Sequence, residues 1–306
     1  MRTIFAVVLA ASISATTMWV ACTDGNAAVQ HRSQQSGLTI HDLPSNLEFA
    51  GEKVPTDWGY VREAVEREVI TTSCMHTSTL LALRRVSRYF PVIEPILAEY
   101  GVPNDFKYLC VAESGLNENA ISPAKAGGLW QFLSASAKEY GLEVSEYVDE
   151  RYHLEKSTHA ACKYIKSAHK LFGSWTLAAA SYNAGRTGVA RRLKIQGVDD
   201  YWELFLPEET MRYVPRILSF KILMEEPERY GFNLGKEDKL EPFKNYKIVE
   251  ISDAKIAWSQ FAAKHGTTYR QLRILNPWIR EYDHMNPSRK SYEVKVPTKK
   301  FLKEGR

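Results

Sequence analysis

Apolar residues recur at helical spacing between residues 57 and 226, and no segment before residue 240 alternates in the manner of a β-strand. A chain with this pattern buries its apolar faces by packing helices against one another. Helices are predicted at residues 57–100, with a break near residues 71–73 and a new helix from Pro91, and at residues 103–114, 134–140, 158–172, 175–184 and 210–226. We therefore predict a mainly α fold.

Local signals set several helix boundaries. Ser134 or Ser136 can cap a helix that runs to Tyr140, with Ser136 and Glu139 at capping-box spacing, and Thr158 is a candidate N-cap. Gly173 and Gly185 are candidate helix stops. The buried stripe of the first helices is predicted to contain Val61, Val65, Ile70, Leu80, Leu81, Leu83, Val86, Tyr89 and Phe90.

The sequence pattern changes from long helices to short strands and helices after residues 231–243. The glycine, lysine, glutamate and proline content of these residues is typical of a linker. Residues 246–251 and 292–296 read as strands, and residues 257–264 and 269–275 read as helices. The sequence therefore predicts a small βααβ unit after the helical domain.

The N-terminus resembles an export signal. Arg2 precedes an apolar run too short to span a bilayer, which predicts a signal peptide over residues 1–21. The residues before Cys22 resemble a bacterial lipobox, and the polar run after it resembles a membrane tether. We expect a periplasmic protein anchored to the outer membrane through lipidated Cys22. The alternative is cleavage after Ala27 or Ala28, which would release a soluble periplasmic protein.

Charge and cysteine content narrow the class of protein. A net charge of +4 with scattered basic residues argues against a dedicated nucleic-acid binder. Cys74, Cys110 and Cys162 are widely spaced in helical patterns, which predicts buried free thiols. The histidines are dispersed and lack metal-ligand spacing, so we expect no metal cofactor.

Glu113 stands where an apolar residue is due. Phe106, Leu109 and Cys110 mark one helix face, and Glu113 falls on the same face one turn later, just before Ser114 and Gly115 end the helix. A carboxyl half buried against apolar groups has a raised pKa, as a general acid near neutral pH requires.

Two further segments accompany this acid. Gly127 and Gly128 permit close approach of the backbone to a ligand. Residues 178–185 (AAASYNAG) combine small residues, which allow close helix packing, with Tyr182 and Asn183 as hydrogen-bonding groups.

Residues 113–116 (ESGL), 128–132 (GLWQF) and 180–185 (ASYNAG) resemble the three motifs of the lysozyme-like lytic transglycosylases of glycoside hydrolase family 23. Residues 147–151 (YVDER), 157–161 (STHAA) and 206–215 (LPEETMRYVP) are similar to the membrane-bound lytic murein transglycosylase D group of that family. The resemblance covers roughly residues 55–232.

This resemblance implies cleavage of peptidoglycan between N-acetylmuramic acid and N-acetylglucosamine without attack by water. Glu113 would protonate the glycosidic oxygen and then, as a carboxylate, take the C6 hydroxyl proton, which closes a 1,6-anhydro ring. The resemblance also implies that Ser114 steers the muramyl lactyl group or braces the cleft, and that Gln131 forms a hydrogen bond with an N-acetyl group. The Tyr182 hydroxyl would hold Glu113 and the sugar. Asn183 would form a hydrogen bond with the substrate or with a loop carbonyl.

The C-terminal βααβ unit resembles a LysM module, a class that binds glycans containing N-acetylglucosamine. Residues 252–255 (SDAK) stand where the family usually has Gly-Asp-Thr-Leu. Weak glycan affinity is therefore predicted for this module. The chain divides into a signal peptide (1–21), a flexible tether and N-terminal extension (22–54), a lysozyme-like catalytic domain (55–232), a linker (233–243) and a LysM-like domain (244–298).

Two other functions remain open. A goose-type muramidase would hydrolyse the same bond with a second carboxylate. The nearest acidic residues are Glu118, Asp149 and Glu150, although Asp149 to Arg151 reads more naturally as a structural ion-pair turn. The second alternative is a non-catalytic peptidoglycan-binding protein that works through its C-terminal module.

Overall fold

Helices dominate residues 42–301, the part of the chain that the computed structural model describes. Within these residues eight α-helices precede the C-terminal unit and two lie within it. They are α1 (Gly59–Cys74), α2 (His76–Glu99), α3 (Phe106–Ser114), α4 (Ser134–Glu139), α5 (Leu154–Phe172), α6 (Trp175–Ala184), α7 (Arg186–Gln196), α8 (Glu208–Glu225), α9 (Trp258–Lys264) and α10 (Tyr269–Leu275).

The strands are short and pair in twos. They are β1 (Glu48–Phe49), β2 (Glu52–Lys53), β3 (Tyr246–Ile251), β4 (Lys255–Ala257), β5 (Asp283–Met285) and β6 (Tyr292–Pro297). All three pairs, β1 with β2, β3 with β6, and β4 with β5, are antiparallel. The predicted mainly α fold with a small C-terminal βααβ unit is confirmed, and the β1–β2 and β4–β5 pairs are additions that the sequence pattern did not indicate.

Helix α2 corrects the prediction that Pro91 starts a new helix. It runs without interruption through Pro91 and Pro95. Proline removes a backbone hydrogen bond and crowds the preceding turn, but Ile93 and Leu97 beyond Pro91 are fully buried. Their tertiary burial holds the helix together across the two prolines.

The predicted apolar stripe was wrong at three positions. Ile70, Leu80 and Leu81 are 37%, 40% and 39% exposed, whereas Val69 and Leu83 are buried. Apolar residues cluster around both helices here, so spacing alone did not define which side faces the core.

Two predicted caps were also wrong. Helix α5 begins at Leu154, and the His153 side chain accepts a hydrogen bond from the Lys156 N–H. Thr158 therefore lies inside the helix, where its hydroxyl donates to Leu154 O and accepts from the indole N–H of Trp130. Helix α4 begins at Ser134 with Leu133 at its N-cap position, so neither Ser134 nor Ser136 caps it.

One apolar core joins α1–α8, and a second core fills the C-terminal unit. The predicted linker runs along α2, where the Leu240 N–H donates to Arg84 O at 2.8 Å and Arg88 Nε donates to Glu241 O at 2.9 Å. Residues 42–301 accordingly belong to one compact unit.

Two of the three cysteines that were predicted to be buried free thiols are buried in the structure. Cys110 and Cys162 are buried free thiols, but Cys74 is exposed because it ends α1, which corrects the prediction for that residue.

Across residues 42–301 we find no helix with the length and apolar character needed to cross a membrane. The predicted signal peptide and Cys22 lie outside the described residues.

Candidate active site

Helix α3 places Glu113 at the end of a buried element. Phe106, Leu109 and Cys110 are fully buried along one face, and the helix ends at Ser114 because Gly115 adopts the left-handed conformation with φ 58°. Glu113, the last residue but one of the helix, is partly buried.

The surroundings of Glu113 favour its protonated form. Burial raises the pKa of Glu113 from 4.5 to about 7, and the nearby charge of Glu209 acts in the same direction. A hydrogen bond from Tyr213 and the charge of Arg216 oppose this rise without cancelling it. Near neutral pH the carboxyl group can therefore both give and take a proton.

Tyr213 is the functional candidate that the sequence did not assign. Its hydroxyl donates to Glu113 Oε1 from α8, one hundred positions along the chain. The residue lies in the segment 206–215 that resembles a family motif, and that motif was the available signal. Burial and the charge of Glu113 raise the pKa of Tyr213 well above its usual value, so it remains a hydroxyl donor.

Tyr182 does not make the contact expected of it. Its hydroxyl donates to Trp130 O at 2.8 Å, and its ring packs edge-on against Phe132 and Tyr164. The tyrosine of α6 thus ties that helix to the segment before α4, and the hydroxyl that holds Glu113 comes from α8 instead.

Helix α8 also carries two arginines that share one buried carboxylate. Glu68 of α1 is 1% exposed, and it pairs with Arg212 Nε at 2.7 Å and with Arg216 Nε at 3.5 Å. Because a buried charge requires partners, this network fixes α1 against α8. It also restrains Arg216, whose charge acts on Glu113.

The remaining site residues contact their own loops and helices. Gln131 has φ 46°, and its Nε2 donates to Gly128 O at 2.8 Å and to Ala120 O at 3.2 Å. Asn183 is exposed, and its Oδ1 accepts from the Thr210 hydroxyl at 2.9 Å. The Ser114 hydroxyl donates to Cys110 O one turn earlier, at 3.2 Å.

Gly127 and Gly128 leave room for other parts of the protein chain, and this room is occupied by Arg151 and Tyr152. A Cβ on Gly128 would lie 1.9 Å from Arg151 O, and Gly128 has φ 77°. A Cβ on Gly127 would lie 3.0 Å from the Tyr152 hydroxyl. The close approach that the sequence suggested for a ligand is made by residues 151 and 152.

The three carboxylates proposed as a second catalytic group are all engaged. Arg151 Nε and Nη2 donate to the two oxygens of Asp149 at 2.9 and 2.7 Å, which confirms the ion-pair turn. Glu150 accepts from Lys156 Nζ at 2.6 Å and from the Glu143 N–H at 2.8 Å. Glu118 accepts from the Tyr89 hydroxyl at 3.0 Å.

The pKa values of Glu150 and Glu118 are shifted in opposite directions. Burial alone would raise the pKa of Glu150, but the Glu143 amide and the Lys156 ammonium outweigh it and lower the pKa overall. Burial raises the pKa of Glu118 against the opposing Tyr89 hydrogen bond and arginine charges. Among residues 42–301, no three histidine, cysteine or acidic side chains are grouped so that they could hold a metal ion.

Comparison with known families agrees with this architecture. Residues 91–205 match the transglycosylase SLT domain, and residues 247–300 match the soluble lytic transglycosylase C-terminal LysM-like domain. The chain therefore carries an SLT transglycosylase domain followed by a LysM-like domain, which confirms the resemblance found in its motifs.

Individual relatives narrow the comparison further. The chain is 30% identical over 225 residues to the membrane-bound lytic murein transglycosylase D of Escherichia coli, an alignment that covers 72% of this chain and 48% of that protein. It therefore spans about half the length of this relative. It is also 31% identical over 116 residues to a putative tributyltin chloride resistance protein of an Alteromonas species, covering 38% of this chain and 56% of that one.

Two solved structures are also similar. An inactive mutant of the lytic transglycosylase Slt from Pseudomonas aeruginosa aligns with a TM-score of 0.38 and 16% identity, covering 60% of this chain and 36% of that one. The 70 kDa soluble lytic transglycosylase SLT70 of Escherichia coli aligns with a TM-score of 0.39 and 17% identity, covering 55% and 29% of the two chains.

Proposed function

We propose that this protein is a peptidoglycan lytic transglycosylase that cleaves the β-1,4 bond between N-acetylmuramic acid and N-acetylglucosamine. The observation that carries the proposal is Glu113, a partly buried residue whose carboxyl group has a pKa of about 7 and accepts a hydrogen bond from Tyr213. A carboxyl with this pKa can act as an acid and then as a base at neutral pH.

The reaction balances with this one carboxyl group. Glu113 gives its proton to the glycosidic oxygen as the bond from that oxygen to muramyl C1 breaks, and N-acetylglucosamine leaves as an alcohol. The resulting carboxylate takes the C6 hydroxyl proton while O6 bonds to C1 and closes the 1,6-anhydro ring. Glu113 is protonated again at the end, and no water is consumed.

The other residues support this step by position. Tyr213 orients the Glu113 carboxyl through its hydroxyl. The Nε2 donors of Gln131 bond loop carbonyls, which leaves its amide oxygen to accept an N-acetyl N–H. Asn183 uses Oδ1 for Thr210, so its exposed amide nitrogen is assigned to the substrate. Ser114 borders the same opening, and Tyr182 acts indirectly by holding Trp130 O.

The alternative muramidase needs a free second carboxylate. Asp149 is held by both arms of the Arg151 guanidinium and Glu150 by Lys156, and both are buried. These contacts favour the single-carboxylate route.

Product analysis tests the proposal. The full-length protein is incubated with purified sacculi, and the released muropeptides are analysed by mass spectrometry. We expect products that end in 1,6-anhydro-N-acetylmuramic acid. Products with reducing ends would mean that water attacks, and the absence of products would favour a non-catalytic peptidoglycan-binding role.

Tyr213→Phe is expected to move the pH dependence of turnover. The hydroxyl lowers the pKa of Glu113, so its loss raises that pKa, and the limb on which activity falls with deprotonation of Glu113 moves to higher pH. Turnover at the optimum should fall about tenfold because the carboxyl is less well oriented. The measurement is a pH–rate profile on soluble glycan strands.

Tyr182→Phe is the matched control, since this hydroxyl bonds Trp130 O and not Glu113. Its alkaline limb should coincide with that of the wild type. An equal shift in both variants would contradict the assignment of Tyr213.

The envelope location completes the proposal. Residues 1–21 direct export, lipidated Cys22 anchors the protein to the outer membrane, and residues 23–54 tether the catalytic domain of residues 55–232. The LysM-like module of residues 244–298, joined through residues 233–243, contributes glycan contacts, and peptidoglycan strands are the partner. Similarity to a membrane-bound murein transglycosylase supports an envelope location.

A further inference from the structure

Residues 147–151 belong structurally to two parts of the molecule. They lie within the SLT domain sequence, yet Val148 is fully buried in the core of the C-terminal module beside Trp258 and Trp278. Val148 forms a β-bridge with Ile279. The Asp149 N–H donates to Trp278 O at 2.9 Å, and the Arg280 N–H donates to Tyr147 O at 2.9 Å. We call residues 147–151 the seam segment.

Side chains close around this segment from both sides. Lys290 of the module pairs with Glu143 at 2.6 Å, and the Tyr292 hydroxyl donates to the same carboxylate at 3.1 Å. Lys295 pairs with Glu155. The seam therefore combines backbone pairing, a buried apolar residue and ion pairs. Together these contacts hold the C-terminal module in a fixed position against the SLT domain.

The seam segment also reaches the active-site loop. Arg151 Nη1 donates to Lys125 O at 2.7 Å and to Phe132 O at 3.1 Å. The Arg151 carbonyl fills the space that a side chain on Gly128 would occupy. Through these contacts Arg151 spans both ends of the loop that carries Gln131.

That loop needs an external support. Lys125 and Gln131 have φ 61° and 46°, a left-handed backbone conformation that residues other than glycine rarely adopt. Such backbone persists only where its surroundings over-determine it. The surroundings here include the planar fork of Arg151, which a lysine ammonium does not reproduce.

We propose that the C-terminal module acts as a brace for the active site, with Arg151 as a positioning residue for the Gln131 loop and the seam segment as the connection between them. The effect on turnover rests on the proposed function, whereas the effect on loop order does not. The module thus contributes to catalysis on substrates that it does not itself bind.

The test compares two seam variants with matched controls in the full-length protein. Arg151→Lys keeps a charge beside Asp149 but loses the fork, and Arg62→Lys makes the same change at an exposed position of α1. Val148→Ala opens a cavity at the seam, and Val294→Ala makes the same change at an equally buried position on the module's own strand β6. The first readout is hydrogen exchange of residues 120–132, where the Gly127 N–H bonds Phe132 O and the Gly128 N–H bonds Ala120 O.

We expect both seam variants to exchange about tenfold faster over residues 120–132, because the loop opens locally more often. The controls should match the wild type over those residues. The second readout is turnover of a soluble tetrasaccharide of alternating N-acetylglucosamine and N-acetylmuramic acid. Misplacement of Gln131 should lower kcat about tenfold in the seam variants. The Glu113 pH limb should stay in place because Arg151 does not contact Glu113 or Tyr213.

Unchanged exchange over residues 120–132 in both seam variants would overturn the proposal. Faster exchange in Val294→Ala equal to that in Val148→Ala would also overturn it, because general weakening of the module would then be the cause. A wild type that fails to turn over the tetrasaccharide would refute the proposed function, while the exchange result would still decide whether the brace exists.

Discussion

Glu113→Gln is expected to lower the release of muropeptides from sacculi by about 10⁴-fold. The amide cannot protonate the glycosidic oxygen, and it cannot accept the C6 hydroxyl proton in the second half of the reaction. Because one group serves both steps, the loss lies at the upper end of what general acid–base catalysis contributes. Mass spectrometry of released muropeptides at matched protein concentration measures it.

Glu118→Gln is the matched control for this loss. Glu118 is also a half-buried carboxyl with a raised pKa and a tyrosine donor, but it lies outside the assigned site. Near-wild-type turnover is expected from this variant. A comparable loss in both variants would point to two catalytic carboxylates and to hydrolysis.

A comparison of unfolding free energies is expected to show that Glu113→Gln remains folded, so that its loss of activity has a chemical cause. The pKa of Glu113 is about 7 in the folded protein against 4.5 ordinarily, so protonation of Glu113 stabilises the folded state. This contribution to the unfolding free energy is complete below pH 4.5 and is lost as the pH rises through 7. Glutamine has no such proton to lose. The variant should exceed the wild type by up to about 3 kcal/mol in unfolding free energy at pH 8 and match it near pH 4.

Gly128→Ala is expected to destabilise the protein by at least about 3 kcal/mol, from overpacking together with the left-handed backbone. The added Cβ would lie 1.9 Å from Arg151 O, and backbone atoms on both sides leave the clash without a flexible partner to move. Denaturant unfolding monitored by circular dichroism measures the change. The same variant should displace the loop that carries Gln131.

Gly141→Ala separates the two causes. Gly141 has φ 88° but an added Cβ meets nothing within 4 Å, so only the backbone conformation contributes, at about 1 kcal/mol. Equal destabilisation by the two substitutions would show that residues 151 and 152 do not press on the glycine pair.

Local pattern was sufficient for much of the fold. The bounds predicted for α6, α10 and β3 agree with the structure, because helical or alternating periodicity and a clear stop coincide in each segment. The predicted bounds were wrong where tertiary packing outweighed a local signal, as in α2 across Pro91 and in α5 before Thr158.

The sequence by itself determined the helical class, the C-terminal module and the position of Glu113 at a helix end, because each depends on spacing within about ten residues. Only the tertiary structure decided which hydroxyl reaches Glu113, what the paired glycines accommodate, and that Val148 belongs to the core of the module. These contacts join residues far apart in the chain. Their existence depends on how whole helices pack, and packing is not encoded in any one segment.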